Sequence, residues 1–108
     1  MTMKRFHLAL AVADVESSIQ DYTERLGAEP EIVIPGRYAL WRTDKLNFSV
    51  RHMPGAAGRV RHIGWEDSAA PTLCIDHDVN GLIWEYFSAA DQRREITANW
   101  PQVEAKRQ

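Results

Sequence analysis

The sequence predicts an α+β fold in a single domain, and three observations carry that expectation. Residues 5–13, "RFHLALAVA", alternate with the period of two that marks a strand. Directly after them, "DVESSIQDYTERLG" spaces Val15, Ile19, Tyr22 and Leu26 four, three and four residues apart, which is one apolar stripe of a helix. The remainder is cut into short β-type runs by Pro-Gly, Asn-Gly and polar turns. A chain of 108 residues suits one hydrophobic core and is too short for two.

In the first strand Phe6, Leu8, Leu10 and Val12 share one face, and His7, Ala9, Ala11 and Ala13 share the other. The helix has Asp14 as its expected N-cap and Gly27 as the glycine that ends it. "EIVI", a Pro35-Gly36 turn, "RYALWRT", a turn at Asp44-Lys45 and "LNFSVRH" then read as a three-stranded meander. In its last strand Leu46, Phe48 and Val50 oppose Asn47, Ser49 and Arg51. Residues 5–52 thus form a complete strand-helix-three-strand unit, and 53–58, "MPGAAG", a linker. Residues 59–88 form a second, shortened unit. It holds "RVRHIGWED", with Ile63 and Trp65 opposite His62 and Gly64, and two strands around the Asn80-Gly81 turn. Residues 89–108 are a charged tail, helical from Ala89 to Ala98 and stopped before Pro101, with Ile96 and Trp100 as docking groups.

Composition narrows the function. A formal charge of −2 leaves no electrostatic footprint for nucleic acid or an anionic membrane surface. No apolar run approaches the roughly 18–20 residues of a membrane span. The opening "MTMKRFHLALAVADVESS" turns acidic too soon for a signal peptide. The single cysteine, Cys74, excludes an intrachain disulfide and a cysteine-based zinc cluster, and reads as a small buried hydrophobe. A cytoplasmic protein is expected.

Three residues stand out by position: His7 on the first strand, His62 on the strand after the linker, and Glu85 in "NGLIWEYF". Each histidine sits on the small-residue face of its strand. If the bulky faces pack on helix or core, both imidazoles project into one concavity. Two neutral imidazoles and a carboxylate with open positions form the ligand set favoured by non-haem Fe(II). The alternatives are core histidines held by hydrogen bonds, and a Glu85 that faces solvent or pairs with Arg51 or Arg61.

The stretches "HLALAVADVESSIQDYTERLGAEPEIV", "YALWRTDKLNFSV", "HIGWE" and "NGLIWEYF" resemble the vicinal oxygen chelate superfamily. That superfamily includes glyoxalase I, extradiol dioxygenases and bleomycin- and fosfomycin-resistance proteins. "YALWRTDKLNFSV" leans toward its organoarsenical lyase and cadmium-induced branch, although the cysteine pair of those lyases is absent. The resemblance implies paired βαβββ modules whose sheets curl around a metal or ligand cavity. It implies His7, His62 and Glu85 as metal ligands, with the remaining slot at Asn47 or Ser49, an arrangement nearer the three-ligand dioxygenases than glyoxalase I. The implied cofactor is a divalent metal, Fe(II) first, with Mn, Ni or Zn as alternatives. Only 23 residues separate His62 from Glu85, too few for a whole module, and a partner subunit completing the second half implies a homodimer.

Arg37, Tyr38, Trp41, Asn47, Ser49 and Arg51 are the expected pocket walls, while Trp65 and Trp84 are expected in the core or a dimer contact. His52 and His77 read as solvated, with proton shuttling as the alternative for His77. The expected function is a metal-dependent dioxygenase or lyase acting on a small molecule with vicinal oxygens. The alternatives are a metal-free protein that sequesters a small molecule, and a scaffold without ligand.

Overall fold

A computed structural model describes residues 3–103, and the last residues of the predicted tail, 104–108, lie outside the described residues. The elements run β1 (Lys4–Val12), α1 (Val15–Leu26), β2 (Ile32–Ile34), β3 (Tyr38–Arg42), β4 (Leu46–His52), β5 (Val60–Asp67), β6 (Cys74–His77), β7 (Ile83–Phe87) and α2 (Ala89–Asn99). All seven strands join one open mixed sheet in the order β2-β3-β4-β1-β5-β7-β6. A single 3₁₀ turn, Pro54–Ala56, interrupts the segment predicted as linker.

The local chemistry behaves as the sequence reading expects. The Asp14 carboxylate accepts from the backbone N–H groups of Glu16 and Ser17, and Gly27 closes α1 at φ 67°. Pro35 and Gly36 turn β2 into β3: Gly36 takes φ 72° and the Arg37 N–H donates to the Ile34 carbonyl at 2.9 Å. The Gly36 N–H also donates to the Glu16 carboxylate at 2.9 Å, which fixes this turn to the first turn of α1.

Each face of the first half of the sheet has its own cover. The bulky face of β1 and β4 packs beneath α1, where Val12, Val15, Ala39, Trp41 and Val50 form a buried cluster with Ile19, Tyr22 and Phe48 against it. Tyr22, Trp41 and Phe48 meet edge to face with centroids 5.3–6.3 Å apart, a geometry worth about 0.5–1.5 kcal/mol per pair beyond burial. On the opposite face α2 closes over β2 and β3 through Ile96, with Trp100 and Val103 beyond it packed near Tyr38 and Leu40. The second half is covered differently. Phe6, Leu8, Ile63, Trp65 and Trp84 share the outer face by register and are only half-buried, and none of the described helices lies over them. Cys74 corrects its expectation. It lies on the edge strand β6, all four residues of which are exposed, because among the described residues no further strand or helix backs that edge.

Two parallel pairings organise the sheet. β1 runs parallel to β4 and β5 parallel to β7, while β1 and β5 meet antiparallel at the centre. Gly64 lets β5 and β7 come together. A Cβ built there would overlap the carbonyl of Glu85. Gly64→Ala is therefore expected to cost about 1–3 kcal/mol or more by overpacking. Gly55→Ala, which meets open space, should stay within about 0.5 kcal/mol. Urea denaturation of the two variants checks this, and equal effects would contradict the close approach.

Candidate metal centre

β1, β5 and β7 carry His7, His62 and Glu85 onto the same concave face. One potential donor atom from each lies within 4.8 Å of the other two. The imidazoles stack at a centroid distance of 4.9 Å with a 36° tilt, and Phe87 meets His7 edge-on at 4.8 Å. His62 Nε2 lies 3.4 Å from Glu85 Oε1. The three residues therefore meet as the sequence suggested.

Their protonation follows from the surroundings. Burial pushes His62 down to about 3, with the neighbouring His7 and Arg61 cation adding to the effect. It is neutral at pH 7, so its contact with Glu85 is not an ion pair. Burial also lowers His7, against the opposing hydrogen bonds to Asn47. Burial and the Glu95 charge raise Glu85, and Arg61 opposes them. The cluster thus holds two neutral imidazoles beside a carboxyl group whose charge burial and Glu95 disfavour more than Arg61 supports. That is the donor chemistry a cation satisfies.

A second set of side chains orients His7. Glu66 is buried, and its carboxylate accepts from Arg5 at 2.9 Å, from Arg42 at 2.8 Å through both Nε and Nη2, and from Asn47 Nδ2 at 2.8 Å. Burial alone would raise its pKa, but the hydrogen bonds from Arg42 and Asn47 and the charges of Arg42 and Arg5 bring it down to about 2. An ionised carboxylate only accepts, so the amide of Asn47 must turn its Nδ2 toward Glu66 and its Oδ1 toward His7. His7 Nδ1 lies 2.8 Å from that Oδ1 and 3.2 Å from the Asn47 carbonyl. Both are acceptors, so Nδ1 carries the proton and Nε2 keeps the lone pair. Gln92 of α2 closes the set through paired contacts with the Asn47 amide.

The triad opens on a cleft between the sheet and α2. Tyr38, Ser49 and Arg51 line it as expected. Burial pushes the Tyr38 phenol up to about 12, so it stays protonated at neutral pH. Three expected wall residues lie elsewhere. Trp41 points to the other face beneath α1, because its register partner Phe48 belongs to the bulky side of β4. Arg37 is exposed at the end of the β2–β3 turn. Asn47 lies behind His7 and orients it. His52 and His77 are exposed, and Trp65 and Trp84 are half-buried on the outer face. Sequence reasoning named Arg61 only as a partner for Glu85, and missed Phe87, Glu66 and the α2 residues Gln92, Glu95 and Asn99. The last three lie on the helix expected from Ala89, whose start is further marked by the reciprocal capping box of Ser88 and Asp91.

No protein-family model and no curated protein matches this chain. Among solved structures it is similar to a chain described as the NAD-dependent benzaldehyde dehydrogenase from Legionella pneumophila. The TM-score is 0.54 at 10% identity, over 77% of this chain and 97% of that one. At that identity the likeness concerns the fold alone. No helix among the described residues is long and apolar enough to cross a membrane.

The Glu66 cluster generates a pH prediction. Its folded pKa lies below the ordinary value near 4.5, so its contribution is present above that pH and is lost as pH falls toward 2. Glu66→Gln should lower stability at pH 7 by about 2–3 kcal/mol, and the gap to the native protein should shrink by more than half at pH 3. Urea denaturation at both pH values measures it. A gap that stays constant would assign the loss to packing instead of charge.

Proposed function

We propose that this chain belongs to the vicinal oxygen chelate superfamily and is a divalent-metal-dependent enzyme of the dioxygenase or lyase type. His7, His62 and Glu85 would hold the ion, Fe(II) foremost, and the substrate would be a small molecule presenting two vicinal oxygens. The observation that carries this reading is the triad, whose donor atoms gather within 4.8 Å on three different strands. Each strand contributes one ligand, and two are neutral nitrogens and one a carboxylate. The repeated topology supports the family. β1-α1-β2-β3-β4 with β1 parallel to β4 is followed by β5-β6-β7 with β5 parallel to β7, a second module lacking its helix and one strand.

Register also supports a three-ligand site. Glu85 pairs with Gly64, two residues beyond His62, and the same step from His7 reaches Ala9, which pairs with Ser49. Ser49 thus stands where a fourth ligand would come, and a hydroxyl is a weak donor to a divalent ion. When bound, the cation would supply Lewis acidity and a template for the two oxygens. The chain's own residues do the rest. Asn47 keeps the His7 Nε2 lone pair available, Glu85 balances charge, and Phe87 and α2 limit access of water.

A metal-free sequestering protein is the second reading, favoured by the aromatic pair Tyr38 and Trp100, whose centroids lie 5.0 Å apart beside the cleft. Metal analysis after anaerobic reconstitution with Fe(II) separates the two. One ion per native chain is expected, none is expected in His62→Ala or Glu85→Ala, and Asn47→Ala should weaken binding roughly 10–100-fold. No uptake by the native protein would leave the sequestering reading.

The chain is further proposed to form a homodimer in which a second copy covers the bare outer face around Ile63, Trp65 and Trp84. The counterpart of α1 is missing there. Sedimentation at micromolar concentration should give twice the 12.3 kDa of one chain, and a monomer alone would overturn it.

A further inference from the structure

We infer that the ligand of this cleft carries an oxyanion group of the carboxylate class, held by Arg51 and Arg61 beyond the triad. The inference deepens the metal-dependent reading and rests on it for the chelating half of the ligand.

Arg61 reaches the cleft through a local irregularity. Alternation along β5 would send Arg61 to the face opposite His62, yet both line the same cavity. The register explains it. Ala9 pairs with His62 and Leu10 with Val60, so Arg61 is the extra residue of a β-bulge. Bulges re-aim side chains in this way and concentrate near functional sites. Across the cleft, Arg51 occupies the inward face of β4 one step beyond Ser49. Its guanidinium carbon lies 5.2 Å from the centroid of the Trp100 ring, which holds it in place.

The two cations are half-buried, and each sits in the other's field. Among the described residues neither forms an ion pair. Arg5 and Arg42, a few residues away in the same sheet, are both tied to Glu66. The fields of Glu85 and Glu95 reach Arg61, but no carboxylate of the described residues lies at ion-pair distance from either guanidinium. Two half-buried guanidiniums without a direct partner favour an anion entering between them, and the planar guanidinium fork suits a carboxylate. With a divalent ion on the triad, the positive charge of the wall would exceed the two carboxylates that face it, Glu85 and the exposed Glu95. Spacing fits one small ligand. Arg51 lies two residues along β4 from Ser49, which pairs with Ala9 on the same rung as His62, so roughly 7 Å of strand separates the levels. A single aromatic ring spans that distance between vicinal oxygens and a carboxylate.

The test uses catechol and 3,4-dihydroxybenzoate, which share chelating oxygens and differ in the carboxylate. Calorimetry on the Fe(II)-loaded protein under anaerobic conditions should show at least tenfold tighter binding of the carboxylated probe, weakening as salt rises. In Arg51→Gln and Arg61→Gln that preference should vanish while Fe(II) stoichiometry and catechol binding persist. Arg51→Lys and Arg61→Lys, which keep the charge, should retain part of it and guard against misfolded variants. Fe(II) bound with no preference for the carboxylated probe in the native protein would overturn the subsite and spare the metal reading. If no metal binds, benzoate on the metal-free protein decides by ligand-observed NMR. Binding lost in the Gln variants supports the subsite alone, and no binding overturns it with the metal reading.

Discussion

The arrangement of the site depends on one buried carboxylate. Glu66 is buried, and it stays ionised because Arg42 grips it through two nitrogens while Arg5 and Asn47 complete its shell. Its charge decides the orientation of the Asn47 amide, the amide decides which nitrogen of His7 carries the proton, and the free nitrogen is thereby left for the cleft. Arg42 comes from β3, Asn47 from β4, His7 from β1 and Glu66 from β5, so four strands must be in register for the tautomer to hold. Gln92 adds α2 to the same set. The fold and the tautomer of His7 are in this sense one network.

Sheet register does for position what Glu66 does for protonation. The paired parallel strands repeat one geometric step, first-strand residue to last-strand residue, in both halves of the molecule. In the second half the step ends on the Glu85 carboxylate and in the first on the Ser49 hydroxyl, and Gly64 lets the backbone of β7 close against β5 at Glu85. The neighbouring bulge changes the alternation within the same strand and turns Arg61 inward beside His62. A glycine and an extra residue, three positions apart, thus shape one wall of the cleft.

Much of the fold was legible because it rests on local signals. Asp14 and Gly27 mark both ends of α1, Pro35-Gly36 dictates its turn, and the small faces of β1 and β5 announce where His7 and His62 point. The parts that were not legible depend on contacts distant in sequence. β3 is buried on both faces, so alternation alone did not tell that Tyr38 faces the cleft and Trp41 faces α1; only pairing with β4 does. Glu66 in "GWEDS" looks like one more strand-end acid until the arginines of β1 and β3 converge on it. Cys74 carried the wrong expectation for a related reason: burial of an edge strand depends on a neighbour, and among the described residues β6 has none on one side.

The shortened second half changes how the cleft is closed. Among the described residues no helix covers the outer face of β5 and β7, and the helix after β7 crosses to the inner face and docks over β2 and β3. That route spends apolar residues on enclosing the cavity and leaves Trp65 and Trp84 half-covered outside. It also places Gln92, Glu95 and Trp100 against the site, so a segment outside both strand units supplies its far wall. Because Ile96, Trp100 and Val103 attach this wall to residues of β2 and β3, loosening the C-terminal segment would open the cleft and withdraw Gln92 from Asn47 together. Access to the cleft and orientation of His7 are therefore coupled through α2, and no change in the triad itself is needed to alter both.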